Sequence, residues 1–406
     1  MKKIIYKTTV VLLIAMIISC SKDDSTSQDD NPITDIYVVG QIQKQDGTVK
    51  AVYWKNGEAF VLPSDKYSDA FAIHITSTND VYIAGVEFDD SSVRKPVYWK
   101  NGEAFVLPSD KYSDAFAIHI TSTNDVYIAG VEFDDSSVRK PVYWKNGEKV
   151  TLTANNTKDT YAWDIEVSNN GDVLVVGNER NDGNIPAAVY WKNSTKVSLH
   201  SVGVESSDAN GIHISANGDT YISGRENNQS SFGSRAVYWK NDSKVLLSDG
   251  NPSASSQSVY VTEAGDVYIA GREVSSPGDI AVYWNNGVKT ILPSSGDKKI
   301  LNPSIYVANN KVYVSALEID PNDNNLTSAV YWEGASKFDL TIGNNSNQAH
   351  ANHLIVVDND VYIAGSTRPA MSTPYTAVYW KNGSKTALTD GSYSAFARDI
   401  AVKTSN

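Results

Sequence analysis

Residues 81–107 read VYIAGVEFDDSSVRKPVYWKNGEAFVL, and this stretch decides the fold. The apolar run VYIAGVE (81–87) reads as a strand. A polar loop, Phe88 to Lys95, leads to VYWK (97–100). The pair Asn101-Gly102 then separates it from AFVL (104–107). Asn-Gly between apolar runs marks a tight hairpin, because a type I′ turn needs positive φ at both central residues. Upstream, AFAIHIT (70–76) and the turn Thr78-Asn79-Asp80 supply one more strand. One unit therefore holds four antiparallel strands, here named A to D in chain order. No segment keeps a 3.6-residue apolar period, so helix is not expected.

The unit repeats. Tyr-Trp pairs stand at Tyr53-Trp54, Tyr98-Trp99, Tyr143-Trp144, Tyr190-Trp191, Tyr238-Trp239, Tyr283-Trp284, Tyr331-Trp332 and Tyr379-Trp380, with steps of 45, 45, 47, 48, 45, 48 and 48 residues. Residues 52–103 are identical to 97–148, an in-register duplication. A four-stranded repeat of this period predicts a β-propeller. Bulk on both sides of the Tyr-Trp strand suits a blade buried between two neighbours. Each such aromatic contributes at most about 4–6 kcal/mol on burial. Strand B carries Gly85, Gly130, Gly177, Gly224, Gly271 and Gly365, with Ala316 in the seventh unit. Glycine within a strand marks a close approach, and the facing Trp is the expected neighbour. The chain opens with strands B, C and D from Asp35 and closes with a lone strand A, Ala397 to Val402. The expected fold is all-β: an eight-bladed propeller over 34–406, closed by a C-terminal strand joining three N-terminal ones.

The N-terminus reads as a targeting segment. Lys2, Lys3 and Lys7 precede an apolar run, Val10 to Ile18, too short to span a bilayer. Ile17-Ile18-Ser19-Cys20 resembles the lipobox of bacterial lipoproteins, with Cys20, the single cysteine, as the lipidation site. The expected organisation is a signal peptide at 1–19 and a lipidated Cys with a flexible tether at 20–33. Ser21-Lys22-Asp23-Asp24 resembles the surface-export signal of some Gram-negative lipoproteins. These features imply an outer-membrane, surface-exposed protein held by its lipid. Formal charge is −12, and loss of the three leader lysines makes it −12 − 3 = −15. Such acidity argues against nucleic acid as a partner.

Ala162-Trp163-Asp164-Ile165, Ala209-Asn210-Gly211-Ile212 and Ala397-Arg398-Asp399-Ile400 share an Ala-x-x-Ile phrase, followed in the repeat by the strand B Gly and the Tyr-Trp pair. The whole resembles the HAF family of extracellular repeats. Leu-Trp or Phe-Trp is usual there, and the phrase is lost at Ser256 to Val259. The resemblance implies a secreted or surface location and leaves activity open.

Candidate chemistry lies on the face shared by the B–C and D–A loops. Glu87, Glu132, Glu179, Glu226, Glu273 and Glu318 occupy one register after strand B. They form an acidic crown or, on the structural reading favoured by such recurrence, repeated ion pairs. Arg225, Arg272, Arg368 and Arg398 lie near the same face, with Trp163, Phe71 and Phe116 at the starts of strands A. Such groups stack on sugars or grip a peptide, whereas core packing is the structural alternative for the rings. Ligand contacts are expected on units four to eight, with the identical units two and three as scaffold or a doubled weak site. His74, His119 and His213 share a register with Glu166, Tyr260 and Tyr306, which suggests packing rather than metal. Asp320 to Asn324 begins like a calcium loop, but Asn325 and Tyr331 replace the required Gly and Glu. No nucleophile elbow, zincin or P-loop motif occurs. No cofactor or metal is expected, and the chain is expected to be a monomer. The leading reading is a tethered, non-enzymatic binder of a glycan, peptide or protein. A carbohydrate-active enzyme and a structural surface component are the alternatives.

Overall fold

The computed structural model of the protein describes residues 33–64, 66–155, 157–228, 233–294, 297–323, 326–340 and 348–405. The expected leader, Cys20 and the expected tether as far as Pro32 lie outside these residues, and Ile33 already begins a strand.

Eight four-stranded antiparallel sheets form the blades, each ordered A-B-C-D. Blade 1 joins Ala395–Ser405 as strand A to Ile33–Gln43, Val49–Lys55 and Glu58–Val61. The C-terminal strand pairs with the N-terminal one from Ile33↔Ser405 to Ile42↔Ala395. Blade 2 comprises Ser68–Ile75, Val81–Phe88, Arg94–Lys100 and Glu103–Val106. Strands A of blades 3 to 8 are Ser113–Ile120, Thr160–Val167, Val204–Ile214, Ala254–Val261, Lys299–Ala308 and Gln348–Val357. Each strand A touches strand A of both neighbouring blades, blade 8 reaching blade 1 and blade 1 reaching blade 2. Strands A therefore line a central channel, and the exposed strands D form the rim.

The repeated tryptophans bind blade to blade. All eight are 0–2 % exposed. Trp99 of blade 2 packs with Tyr37, Val39, Ala51 and Leu62 of blade 1. Its Nε1 donates to Pro63 O at 3.0 Å, and Trp144, Trp191 and Trp332 bond Pro108 O, Thr153 O and Pro293 O in the same way. On the turn face, Asn56 stands at φ 52°, accepts from Ile36 N and donates to Asp35, so the hairpin Asn also fastens the start of strand B.

The strand B glycine answers chiefly to the backbone, not to the Trp. Opposite the strand B Gly or Ala, the A–B ladder skips one residue of strand A, as between Ala70 and Ala72; blade 7 skips two there, between Leu301 and Ser304, and blade 5 has a further skip between Val204 and Ser206. A Cβ on Gly177 would lie 1.7 Å from Tyr161 O and 3.2 Å from the Trp191 ring. The carbonyl preceding the skip is thus the tighter constraint. The wider skip in blade 7 leaves Ala316 without a ladder partner on strand A, and a side chain fits there.

Candidate functional site

A β-bulge re-aims the extra side chain, so at the skip opposite the strand B Gly or Ala each blade presents a residue out of the ladder. Around the ring these are Arg398, Phe71, Phe116 and Trp163 in blades 1 to 4, then Asn210, Gln257, Asn302 and Asn352 in blades 5 to 8. Blade 7 loops out Pro303 beside Asn302. One half of the mouth is aromatic with a guanidinium at its end; the other half is amide.

The aromatic half is continuous. The Arg398 guanidinium lies 5.7 Å from the Phe71 ring centre. Phe71 and Phe116 centroids are 6.4 Å apart, and Phe116 lies 5.5 Å from Trp163. Trp163 stacks on Tyr161 at 4.7 Å and 11°. Unlike the eight repeated tryptophans, Trp163 is 38 % exposed. Arg139 covers Phe133 and Tyr161 at 4.8 and 5.3 Å. In the amide half, Asn210 Nδ2 donates to Ser256 O at 2.8 Å and Asn352 Nδ2 to Ala397 O at 2.6 Å. Those amides are spent on the neighbouring blade.

The arginines singled out in the sequence separate here. Arg225 is paired with Asp208 at 2.7 Å and shares a cleft of about 420 Å³ with Tyr161, Trp163 and Arg180. Arg272 pairs with Asp279 at 2.7 Å and donates to Ile300 O at 2.8 Å; its side chain is 23 % exposed, so it clamps blade 6 to blade 7. Arg368 bonds Gln348 Oε1 and Met371 O and lies 4.5 Å over Tyr375. Tyr375 in turn contacts His350 and Phe396. Arg398 pairs with Asp69 at 2.8 Å. Burial pushes the Asp69 carboxyl up, although Arg398 pulls it down.

Five of the six recurrent glutamates are held by a lysine from strand D of the same blade. The pairs are Glu132–Lys149, Glu179–Lys196, Glu226–Lys244, Glu273–Lys289 and Glu318–Lys337, at 2.7–2.9 Å. Glu226 is fully buried, and Glu273 and Glu318 are 4 % exposed. In blade 2 Ala104 stands at the lysine position, and Glu87 lies across the ladder from Lys95. The ring of carboxylates is thus largely neutralised within the blades.

Below the mouth, side chains fasten neighbouring strands A. Ile73 N donates to Asp399, Ile212 N to Asp164, Ile214 N to Glu166 and Ile305 N to Ser258. His353 Nδ1 bonds Asp399 from the adjacent blade. Burial alone would lower the His353 pKa; the charge and hydrogen bond of Asp399 outweigh it, so the imidazole is raised. Burial pushes Asp164 up to about 6. Glu166 is pushed up to about 8, first by burial and then by the Asp164 charge. His119 is pushed down to about 4 by burial and by His74. Glu166, His119 and His213 line the turn-face end of the channel.

The sequence placed ligand contacts on blades 4 to 8. In the structure Trp163 meets Phe116 of the duplicated blade 3, and Phe116 meets Phe71 of blade 2, so the aromatic row runs from blade 4 into the duplicated blades. Sequence reasoning missed Tyr161 and Arg180. The first x of Ala-x-x-Ile was the available signal for the bulge residues: it is Phe71, Phe116, Trp163, Asn210 and Arg398 in turn.

No known protein family and no curated protein matches the chain. Solved structures do resemble it. A puromycin-hydrolysing peptidase of Mycobacterium tuberculosis aligns over 78 % of this chain and 53 % of its own, at 11 % identity and a TM-score of 0.51. A prolyl endopeptidase aligns over 83 % and 50 %, also at 11 % and 0.51. An ulvan lyase of polysaccharide lyase family 25 aligns over 75 % and 89 %, at 12 % and 0.45. The likeness to the two peptidases shows the propeller fold.

Proposed function

We propose that the protein is a lipid-tethered, non-enzymatic propeller that binds a glycan across the aromatic half of its channel mouth. The observation that carries this is the continuous row of Arg398, Phe71, Phe116, Trp163 and Tyr161 around the channel mouth, with Trp163 exposed. A row of flat apolar faces edged by guanidinium donors suits sugar rings and their hydroxyls. An extended peptide would add to a free strand edge. Around the channel several of those edge N–H groups are already bonded across blades: Ile73 N of the aromatic half to Asp399, and Ile212, Ile214 and Ile305 N of blades 5 and 7 to Asp164, Glu166 and Ser258. The glycan is therefore the better fit.

Tethering through Cys20 rests on the short apolar leader and the small residue before the Cys. Cys20→Ala is expected to leave the protein unlipidated and absent from the outer-membrane fraction; a labelled lipid still present on that variant would refute the anchor. Retention on a glycan array tests the binding reading.

One observation favours the enzyme alternative. His353, set by Asp399, is oriented as a base is in many acid–base pairs, and it senses the charge of Asp164 on the opposite wall of the channel. Release of reducing ends or unsaturated products from a retained glycan would establish that alternative, and loss of release in His353→Ala would assign it.

A further inference from the structure

We infer that the cleft beside Trp163 reads a single anionic substituent, a carboxylate or a sulfate, on the bound glycan through Arg180. The inference rests on the glycan reading above.

Arg180 ends strand B of blade 4, Val173–Arg180, where the chain enters a loop on the mouth face. It lines one cleft with Tyr161, Trp163, Asn178, Pro186 and Arg225. Among the described residues, the other arginines of this face are already committed. Arg94, Arg139, Arg225, Arg235, Arg272 and Arg398 pair with Asp114, Asp159, Asp208, Glu226, Asp279 and Asp69 at 2.5–2.9 Å. Arg368 has no carboxylate partner there, but Gln348, Met371 and the Tyr375 ring occupy it. Arg180 makes one hydrogen bond, Nη1 to Asn184 O at 2.7 Å, to the backbone of its own loop. That bond fixes the guanidinium without neutralising it. A half-buried, oriented and unneutralised guanidinium is a receptor for an oxyanion, because its remaining donors form a fork that meets two oxygens of a carboxylate or a sulfate.

The neighbours define what carries the anion. A sugar ring lying on the exposed face of Trp163 would present its substituents to the rest of this cleft. Asn178 Oδ1 already accepts from Ala209 N at 2.9 Å, and Asp208 is tied to Arg225. Arg180 is thus the group in the cleft with charge to offer. Charge also limits the ligand. The chain carries a formal −12, and a field of that sign repels a polyanion. The fit is to a glycan with isolated anionic groups on a largely neutral backbone.

The test is a glycan array of matched β-linked oligosaccharides: a neutral backbone, the same backbone with one uronate, and the same with one sulfate. Wild-type protein is expected to hold at least one charged form about tenfold more tightly than its neutral parent, as one charge-assisted contact supplies. Arg180→Gln should bring that form down to the affinity of the neutral one and leave the neutral form and the melting temperature unchanged. Arg180→Lys should keep part of the preference, since it keeps the charge and loses the fork. Which charged form is preferred tells carboxylate from sulfate. Equal affinity of wild-type protein for charged and neutral forms overturns the inference and leaves the glycan reading standing. So does an Arg180→Gln variant that weakens both forms alike. Retention of no glycan by the wild-type protein defeats the glycan reading itself, and this inference with it. If Arg180→Gln fails to fold, equal wild-type affinity still overturns the inference, and the preference of Arg180→Lys, reduced or intact, decides whether Arg180 makes the contact.

Discussion

The two halves of the channel mouth use the same bulge at the same register and put opposite chemistry on it. Blades 1 to 4 present Arg398, Phe71, Phe116 and Trp163; blades 5 to 8 present Asn210, Gln257, Asn302 and Asn352. The backbone device is common to both, so the scaffold does not explain the difference. On the amide side, Asn210 and Asn352 turn back to bond the next blade, which tightens the ring. On the aromatic side the rings touch one another and Trp163 remains open to solvent. A repeated position thus serves assembly on one side and, on the proposed reading, is released for recognition on the other. The duplication of 52–103 extended the aromatic side, because it copied the Phe71 position as Phe116.

This contrast can be broken outright by stripping the aromatic half. Phe71→Ala, Phe116→Ala and Trp163→Ala together should lower glycan affinity at least about 100-fold, as loss of several aromatic anchors does. The melting temperature should move little relative to a core aromatic deletion, because these rings are not fully buried. Titration calorimetry and thermal unfolding read the two outcomes. A triple variant that binds normally would remove the recognition role.

Deleting residues 52–96 shortens the aromatic half by one position while leaving the amide half intact. The expected product is a seven-bladed ring, since an in-register deletion changes no strand face. Its affinity should fall about tenfold with the loss of one aromatic anchor. Its stability should fall as well, because every inter-blade angle must widen. A disordered product by circular dichroism would mean that eightfold closure is obligatory.

The amide half should show the reverse pattern. Asn210→Ala and Asn352→Ala each remove an inter-blade hydrogen bond, costing about 1 kcal/mol of stability. Glycan affinity should stay within about twofold of the parent on the ordinary scale of a residue outside the contact. Arg272→Ala belongs with them. It strips the buried Asp279 of its ion pair and Ile300 O of its donor, so it should lower the melting temperature more than either amide change and spare binding.

Much of this was legible before the structure. The Tyr-Trp spacing located every blade, and the Asn-Gly pairs located the C–D turns. The lone C-terminal strand A foretold the closure. The bulge was not legible as such, because a one-residue register skip leaves no periodicity to read. Arg225 and Arg272 look alike in sequence, each directly after the strand B Gly. They differ in whether the next blade offers a buried partner: Arg272 meets Ile300 O there, and Arg225 stays at the mouth of the Trp163 cleft. Arg180 was invisible for a related reason. Its interest lies in the carboxylate it lacks while its neighbours have theirs, which only three-dimensional pairing reveals.

The smallest expected effect concerns the far end of the channel beneath both halves. Glu166 has a folded pKa near 8, above its ordinary value of 4.5. Its protonated form favours the fold below pH 4.5, and that contribution is lost as pH rises through 8. Asp164, raised to about 6, acts with the same sign over a lower window. His119, lowered to about 4, acts oppositely and costs stability as pH falls below its ordinary 6.5. The difference in melting temperature between Glu166→Gln and the parent isolates the first of these. The variant should gain on the parent between pH 5 and pH 8.5, and a constant difference would show that Glu166 is not titrating in the fold.

The central claim, that the aromatic half of the mouth receives the glycan, is tested most directly through Trp163. The eight repeated tryptophans are 0–2 % exposed, so collisional quenching by acrylamide reports mainly on Trp163. With Trp163→Phe as the reference, the quenchable fraction should be present in the parent and nearly absent in the variant. Saturation with an array-selected oligosaccharide should protect that fraction. A glycan that binds at saturation and leaves Trp163 as quenchable as before would place recognition elsewhere and contradict the account.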